Sequence, residues 1–350
     1  MTNFSFVCPV PDPLVDFVTQ SHGAGGKLSQ ELIDKVFLPA YGNAILANKS
    51  DSGELLVPTK PGRLAMTTDS FVVRPLVFPG GDLGSLAVYG TLNDLAVQGA
   101  EPLALTAGWI IEEGFSICEL RRLAQSMGDA LRRCNIQVIA ADTKVVERGH
   151  GDGCYLTTSG IGWIRDGVAM KADRIEPSDR ILLSGTIAEH GMAVMTYRNG
   201  VEFSPPLQSD CASLWPLAEK LLAEVPSVRV MRDPTRGGIA ASLNEFAEAS
   251  KCCLRVWEES VPVRPQVRRA CELLGIDPWV VANEGKLMVV VPKEDADQAL
   301  RIMRSDPLGV DGAIIGEVDS THPRKVIAQT RFGTHRIVPM PTGELLPRIC

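Results

Sequence analysis

The sequence predicts an α+β protein of two domains followed by a flexible tail. Three observations carry this. The chain has 350 residues, more than one compact core commonly serves, which sets a prior of two domains. Strand-like and helix-like segments mix in both halves without a strict β-α-β alternation, which favours α+β over a doubly wound sheet. The pattern breaks near Lys171–Ser178, and the segment from Gly333 to Cys350 is rich in Pro and Gly. The expected division is an extension over 1–20, a first domain over 21–170, a second over 171–332 and a mobile tail over 333–350.

Hydrophobic content of 45% and charged content of 22% are ordinary for a globular protein. A formal net charge of −7 argues against broad contact with a nucleic-acid backbone, though not against a nucleotide. The first residues lack the basic-then-apolar order of a secretory signal. No apolar run approaches the ~18 residues of a membrane span. A cytoplasmic protein with no nucleic-acid or membrane partner is expected. Nine cysteines with no Cys-x-x-Cys are too sparse for a disulfide scaffold, and a structural zinc site is not expected.

Ser21-His22-Gly23-Ala24-Gly25-Gly26-Lys27-Leu28 is a glycine-rich loop whose backbone N–H groups suit an anion, with Lys27 adding a cation. It lacks the Gly and Ser/Thr positions of a Walker A loop. A helix is expected over 30–37 and a loop or hairpin over 47–63. Leu64–Val73 reads as a strand that carries Asp69, a residue poorly suited to a strand interior. Asp82 caps a helix over 83–98 that stops at Gly99. Inside this apolar helix Asn93-Asp94 is costly to bury without a partner, so it lies on an exposed face or at a cation or phosphate site. Leu103–Ile111 reads as a strand. Ile117, Leu120, Leu123, Ala124, Met127 and Leu131 fall at helical spacing, which predicts a helix over 117–133. A strand over 136–141 is expected to end in Asp142-Thr143-Lys144, an acid and a base at a site loop, and 155–164 is a further strand.

The second half reads as a strand at 180–185, helices at 189–198 and 210–223, and a helix at 239–250. Asp233-Pro234-Thr235-Arg236-Gly237-Gly238 opens that last helix with small residues and free N–H groups, as an anion site does. Asn283-Glu284-Gly285-Lys286 precedes a strand at 287–291. A helix at 294–304 and strands near 313–318 and 324–329 follow. The last four residues, Pro347-Arg348-Ile349-Cys350, place a thiol on an arm that spans ~50 Å when extended. The carboxylate beside Cys350 is expected to disfavour the thiolate of a solvated tail.

Singly these signals are weak. Together, the loop with Lys27, the carboxylates Asp69, Asp94, Asp142 and Asp233, the glycine turn, Lys144 and Glu284 are what Mg²⁺-nucleotide chemistry requires. The same motifs, with Thr68-Asp69-Ser70 and the Pro-Arg-Ile-Cys350 ending, resemble HypE, the hydrogenase-maturation carbamoyl dehydratase family. That family lies within the aminoimidazole ribonucleotide synthetase superfamily. The resemblance spans nearly the whole chain after residue 20.

The resemblance implies a two-domain aminoimidazole ribonucleotide synthetase-like fold, with N-terminal domains that pair their sheets in a homodimer and bind ATP. A carbamoyltransferase, HypF, would place a carboxamide on Cys350. ATP with Mg²⁺ would dehydrate it to a thiocyanate, and the cyano group would pass to iron on a HypC-HypD scaffold for the [NiFe]-hydrogenase centre. Cys350, Glu284 and Lys144 are then the catalytic candidates, with Glu284 as base and Lys144 neutralising the transferring phosphoryl group. Asp69, Asp94 and Asp233 are the candidate metal ligands. Gly25, Gly26, Lys27, Asp142, Thr235, Gly237 and Gly238 join Asp69 and Asp94 as nucleotide-binding candidates. The rival readings are a selenophosphate synthetase-like enzyme or small-molecule kinase on this fold, or a non-catalytic carrier needing no ATP site.

Overall fold

The structure, a computed structural model, describes residues 16–343 and 346–350. Most of the expected irregular extension, through residue 15, lies outside the described residues. Residues 16–20 are not separate from the first domain: Val18 is buried and its N–H donates to the Phe115 carbonyl across 2.8 Å.

The glycine-rich loop leads into α1 (Lys27–Leu32), which continues through a π-helical turn at Ile33–Phe37 into α2 (Leu38–Tyr41). A short α3 (Ala44–Ala47) precedes an irregular stretch and β1 (Gly62–Phe71). The strands β2 (Val77–Phe78) and β3 (Gly81–Asp82) flank a turn at Pro79-Gly80. Asp82 then accepts the Ser85 N–H at 3.0 Å and caps α4 (Leu83–Val97). There follow β4 (Ala100–Glu112), α5 (Ile117–Cys134), β5 (Gln137–Val146) and β6 (Cys154–Arg165).

These strands form a four-stranded sheet in the order β1-β6-β4-β5, antiparallel except for β4–β5. The helices α4 and α5 cover one face. A Cβ on Gly84 of α4 would stand 2.2 Å from the Leu123 carbonyl of α5, so glycine permits this close approach. Apart from Asp94, every residue of α4 is buried. An apolar helix without a polar stripe belongs in an interior, and α4 lies between its own sheet and the second domain.

The other sheet face is open. Leu64, Met66 and Ile110 are exposed on it, Met66 to 72%. The expected end of β5 at Ala141 is corrected here. The strand runs on to Val146 because it keeps pairing with β4, Gly108 opposite Asp142 and Ile110 opposite Lys144. Alternation puts both charged side chains on the open face, where a strand tolerates them.

The second domain begins with β7 (Arg180–Leu183), α6 (Glu189–Arg198) and α7 (Trp215–Glu224). The helix expected from 210 begins only at 215. Asp210 is instead occupied in accepting the N–H groups of Glu284 and Gly285, at 3.1 and 3.3 Å. Then come β8 (Val230–Arg232), α8 (Gly238–Ser250), β9 (Cys253–Trp257), α9 (Pro265–Leu274), β10 (Met288–Val291), α10 (Ala296–Arg304), β11 (Ala313–Asp319), β12 (Lys325–Gln329) and β13 (His335–Ile337). They build a seven-stranded sheet in the order β13-β12-β9-β11-β7-β10-β8.

The segment expected as a mobile tail starts with β13, paired to β12. Beyond it, Val338, Leu346 and Ile349 are buried. In this structure the tail is docked. No helix among the described residues is long and apolar enough to cross a membrane.

Candidate functional site

Where the two domains meet, a cavity of about 30 Å³ is lined by Asp69, Asp94, Asp233, Thr235, Glu284 and Cys350, among others. Asp69 stands on the helix-covered face of β1. Thr67, two residues earlier on that face, donates its hydroxyl to Asp94 of α4 at 2.7 Å. Asp233 and Thr235 come from the loop between β8 and α8. Glu284 comes from the loop before β10.

That loop is fixed from three sides. Asn283 donates its amide to the Pro234 carbonyl at 2.9 Å and accepts the Ala188 N–H at 2.7 Å. Asp210 accepts two N–H groups, as above. A Cβ on Gly285 would lie 1.8 Å from the Asp210 carbonyl, so only glycine fits there. Lys286 neutralises the acids beneath, its Nζ 2.9 Å from Glu189 and 3.5 Å from Asp210.

Crowded, buried carboxyls hold on to protons. Burial and then Asp94 push Asp233 up to about 8. Burial, followed by Asp233 and Asp210, holds Glu284 well above the carboxylate range. Burial also raises Asp69 and Asp94, opposed by the Ser70 N–H and the Thr67 hydroxyl respectively. Glu284 Oε1 is buried and has no hydrogen-bond partner. An unpaired oxygen amid like charges is a place for a cation or a proton donor.

Cys350 reaches this cavity because the residues before it are held. The thiol is not the solvated one expected from sequence. Burial and then Glu284 raise its pKa, with Arg236 opposing. Cys350 also lines a larger cavity of about 460 Å³, together with Ser70, Arg236, Gly237, Val280 and Ile349. Its volume is that of a small-molecule site, whereas the inner cavity has room only for a group such as a carboxamide. The two share Arg236 and Cys350. Gly237 precedes the first residue of α8 at φ +80°, and Gly238, at φ +58°, packs against the Trp279 and Val281 carbonyls. Free N–H groups at that helix start suit an anion.

Not every candidate joins this group. Asp142 and Lys144 lie on the opposite sheet face, Asp142 in the cross-strand row of Ser70 and Lys144 in that of Ile110, two residues further along the same face. They pair with each other at 2.8 Å. Gly25, Gly26 and Lys27 line neither cavity. Lys27 is exposed, 3.9 Å from Glu31. Arg236, which lines both cavities, stands inside the motif singled out from sequence but received no role there. Asp210 and His190 were missed, and Asn93 was singled out without its partners, because those partners are distant in the chain.

Asp69, Asp94 and Asp233 offer hard oxygen ligands of the kind Mg²⁺ takes. Among the described residues, no three His, Cys, Asp or Glu side chains are spaced to hold a metal ion by themselves. Magnesium keeps several waters and uses one or two carboxylates plus phosphate oxygens, so the aspartates and their retained protons fit such an ion.

Two family models match the chain. The AIR synthase related protein N-terminal domain covers residues 50–164, and its C-terminal domain covers 176–328. A relative from Azotobacter vinelandii, named carbamoyl dehydratase HypE, is 46% identical over 95% of this chain and 97% of its own. A solved structure of hydrogenase maturation protein HypE in complex with ATP is 43% identical, with a TM-score of 0.91, over 95% of this chain and 99% of that one. A HypE chain from a HypE-HypF complex is 44% identical, with a TM-score of 0.77, over 89% of this chain and 99% of that one.

Proposed function

We propose, from the premise that this chain belongs to the HypE carbamoyl dehydratase family of AIR synthase-related proteins, that it dehydrates a carboxamide carried on Cys350 at the expense of ATP. The product is a thiocyanate, the source of cyanide ligands for the iron of the [NiFe]-hydrogenase centre. The observation that carries this reading is the cavity shared by Cys350, Glu284 and three aspartates.

A carboxamide oxygen is a poor leaving group. Its attack on the γ-phosphate of ATP forms a carbon–oxygen–phosphorus link and releases ADP and a proton. Loss of the remaining N–H proton then expels phosphate and leaves a carbon–nitrogen triple bond on sulfur. Glu284 takes protons from the nitrogen. A carboxyl with a raised pKa is a stronger base once ionised. Arg236 and the start of α8 hold phosphate oxygens. Asp69, Asp94 and Asp233 would hold Mg²⁺, which would offset the charge on the phosphoryl group.

The open face of the first sheet, with Leu64, Met66 and Ile110, is the surface through which a homodimer forms. An exposed apolar sheet face calls for a cover. Lys144 and Asp142 stand on that face and act at the interface, not in the cavity of their own chain. A HypF carbamoyltransferase supplies the carboxamide, and a HypC-HypD complex accepts the cyano group. Both exchanges require Cys350 to leave the cavity, so the docked tail is one of two positions. Calorimetric titration with Mg-ATP separates this reading from a non-catalytic carrier, for which no binding heat is expected.

A further inference from the structure

The residues before Cys350 are gripped by their main chain. Their partners stand on α6 and on the loops at the edge of the first domain. His190 is completely buried, edge-on to Phe78 at 5.4 Å. Its Nε2 lies 2.7 Å from the Ile349 carbonyl, and its Nδ1 lies 2.8 Å from the Ser209 hydroxyl. A carbonyl only accepts, so Nε2 carries the proton and Nδ1 accepts from Ser209. Ser209 in turn accepts the Cys211 N–H at 3.1 Å. The tautomer is therefore fixed from behind, and the one free donor of the ring points at the tail.

Arg198 stands two turns along α6 from His190. Its Nη1 and Nη2 donate to the carbonyls of Pro347 and Arg348 at 2.7 and 2.6 Å, and its Nε donates to the Arg74 carbonyl at 2.7 Å. The Arg74 N–H donates to the Arg348 carbonyl at 3.0 Å. Asp152 pairs with both Arg348 and Arg74. Arg74 and Arg348 thus share one carboxylate, and Arg198 brings a third guanidinium bonded to the Arg74, Pro347 and Arg348 carbonyls. Their mutual repulsion appears in Arg198, whose pKa is lowered by burial and then by Arg348 and Arg74. Charge does not balance here, so the grip rests on neutral carbonyls and on the buried Ile349 side chain. Such a contact holds register and still lets go.

We propose that His190, Arg198 and Asp152 form a receptor for Pro347-Arg348-Ile349, in which His190 is the positioning residue that fixes Cys350 in register with Glu284. The catalytic consequence rests on the proposed function; the docking does not.

The test is the rate at which iodoacetamide labels Cys350 in the full-length protein without nucleotide, read from the mass of the tail peptide. His190→Phe, which loses one hydrogen bond to the tail, is expected to label about five- to tenfold faster than the parent, and Arg198→Met, which loses two, faster by at least as much. His190→Gln retains a side-chain N–H donor and is expected to label near the parental rate. If His190→Phe does not fold, Arg198→Met carries the comparison. Equal labelling of the parent and a folded Arg198→Met overturns the receptor. A His190→Gln that labels as fast as His190→Phe overturns the role of the N–H. With the carbamoylating partner present, His190→Phe is expected to slow conversion of the carboxamide while the KM for ATP stays unchanged. If the parent itself forms no thiocyanate, the functional reading fails, and the labelling rates still decide the docking.

Discussion

The side-chain amide of Asn93 donates to the main-chain oxygen of Glu284 across 3.2 Å. It also donates to the Ala212 carbonyl at 3.0 Å and accepts the Leu214 N–H at 2.8 Å. Asn93 lies in α4 and its partners lie in the second domain, so one buried amide sets where the base stands relative to Asp94, its neighbour in the chain.

Asn93→Leu keeps the volume and leaves three buried backbone groups without that partner. A loss of about 2–4 kcal/mol is expected, with turnover lowered because Glu284 is no longer held. Urea unfolding measures the first and single-turnover kinetics the second. A loss below about 1 kcal/mol with normal turnover removes Asn93 from this role.

Glu284→Gln keeps the size and loses the base. Conversion of the carboxamide to the thiocyanate is expected to fall at least ~100-fold while Mg-ATP still binds. The same change removes the charge that Glu284, once ionised, places beside Cys350. Because Glu284 raises that thiol's pKa, the pH profile of Cys350 alkylation should move to lower pH. An unmoved profile would show that the two groups do not interact.

Asp233, pushed up to about 8, ties stability to pH. Its folded pKa lies above the ~3.9 of an unfolded Asp. Between these values the folded state holds the extra proton, so stability contributed by this group falls as pH rises from about 4 towards 8. The slope approaches about 1.4 kcal/mol per pH unit at most. Compared with the parent in the absence of metal, Asp233→Asn should lose less stability over that window. Magnesium, in competing with the proton, should bind the parent more tightly as pH rises and bind Asp233→Asn weakly. Thermal unfolding across pH, with and without Mg²⁺, reads both; parallel curves for the two proteins would contradict the assignment.

Met66→Glu places a charge on the open sheet face and leaves the aspartate cavity alone. The parent is expected to scatter light as a dimer at micromolar concentration and the variant as a monomer. A parent that is monomeric and active would show that this face has no such role.

Much of the local structure was legible. Apolar spacing and caps gave α4 and α5 to within a residue at each end, because both signals lie inside the helices. The α7 boundary was misplaced, because bonds to Asn93 and Glu284 decide the form of 210–214 and no local pattern reports them. Asp142-Thr143-Lys144 read as a strand end because charge is unusual in a strand; the exposed sheet face removes that objection. In the site, Asp69, Asp94, Asp233, Glu284 and Cys350 carried motif signals and converge. His190 and Arg198 sit in an ordinary helix, and only the fold brings them against the tail.

The central claim is that Cys350 carries the carboxamide that this protein dehydrates. Intact mass of the protein, after incubation with its carbamoylating partner and then with Mg-ATP, tests it most directly. The account predicts the carboxamide mass first and the cyano mass after ATP, with neither in Cys350→Ala. A carboxamide that persists in the parent with ATP bound, or either modification in Cys350→Ala, would contradict it.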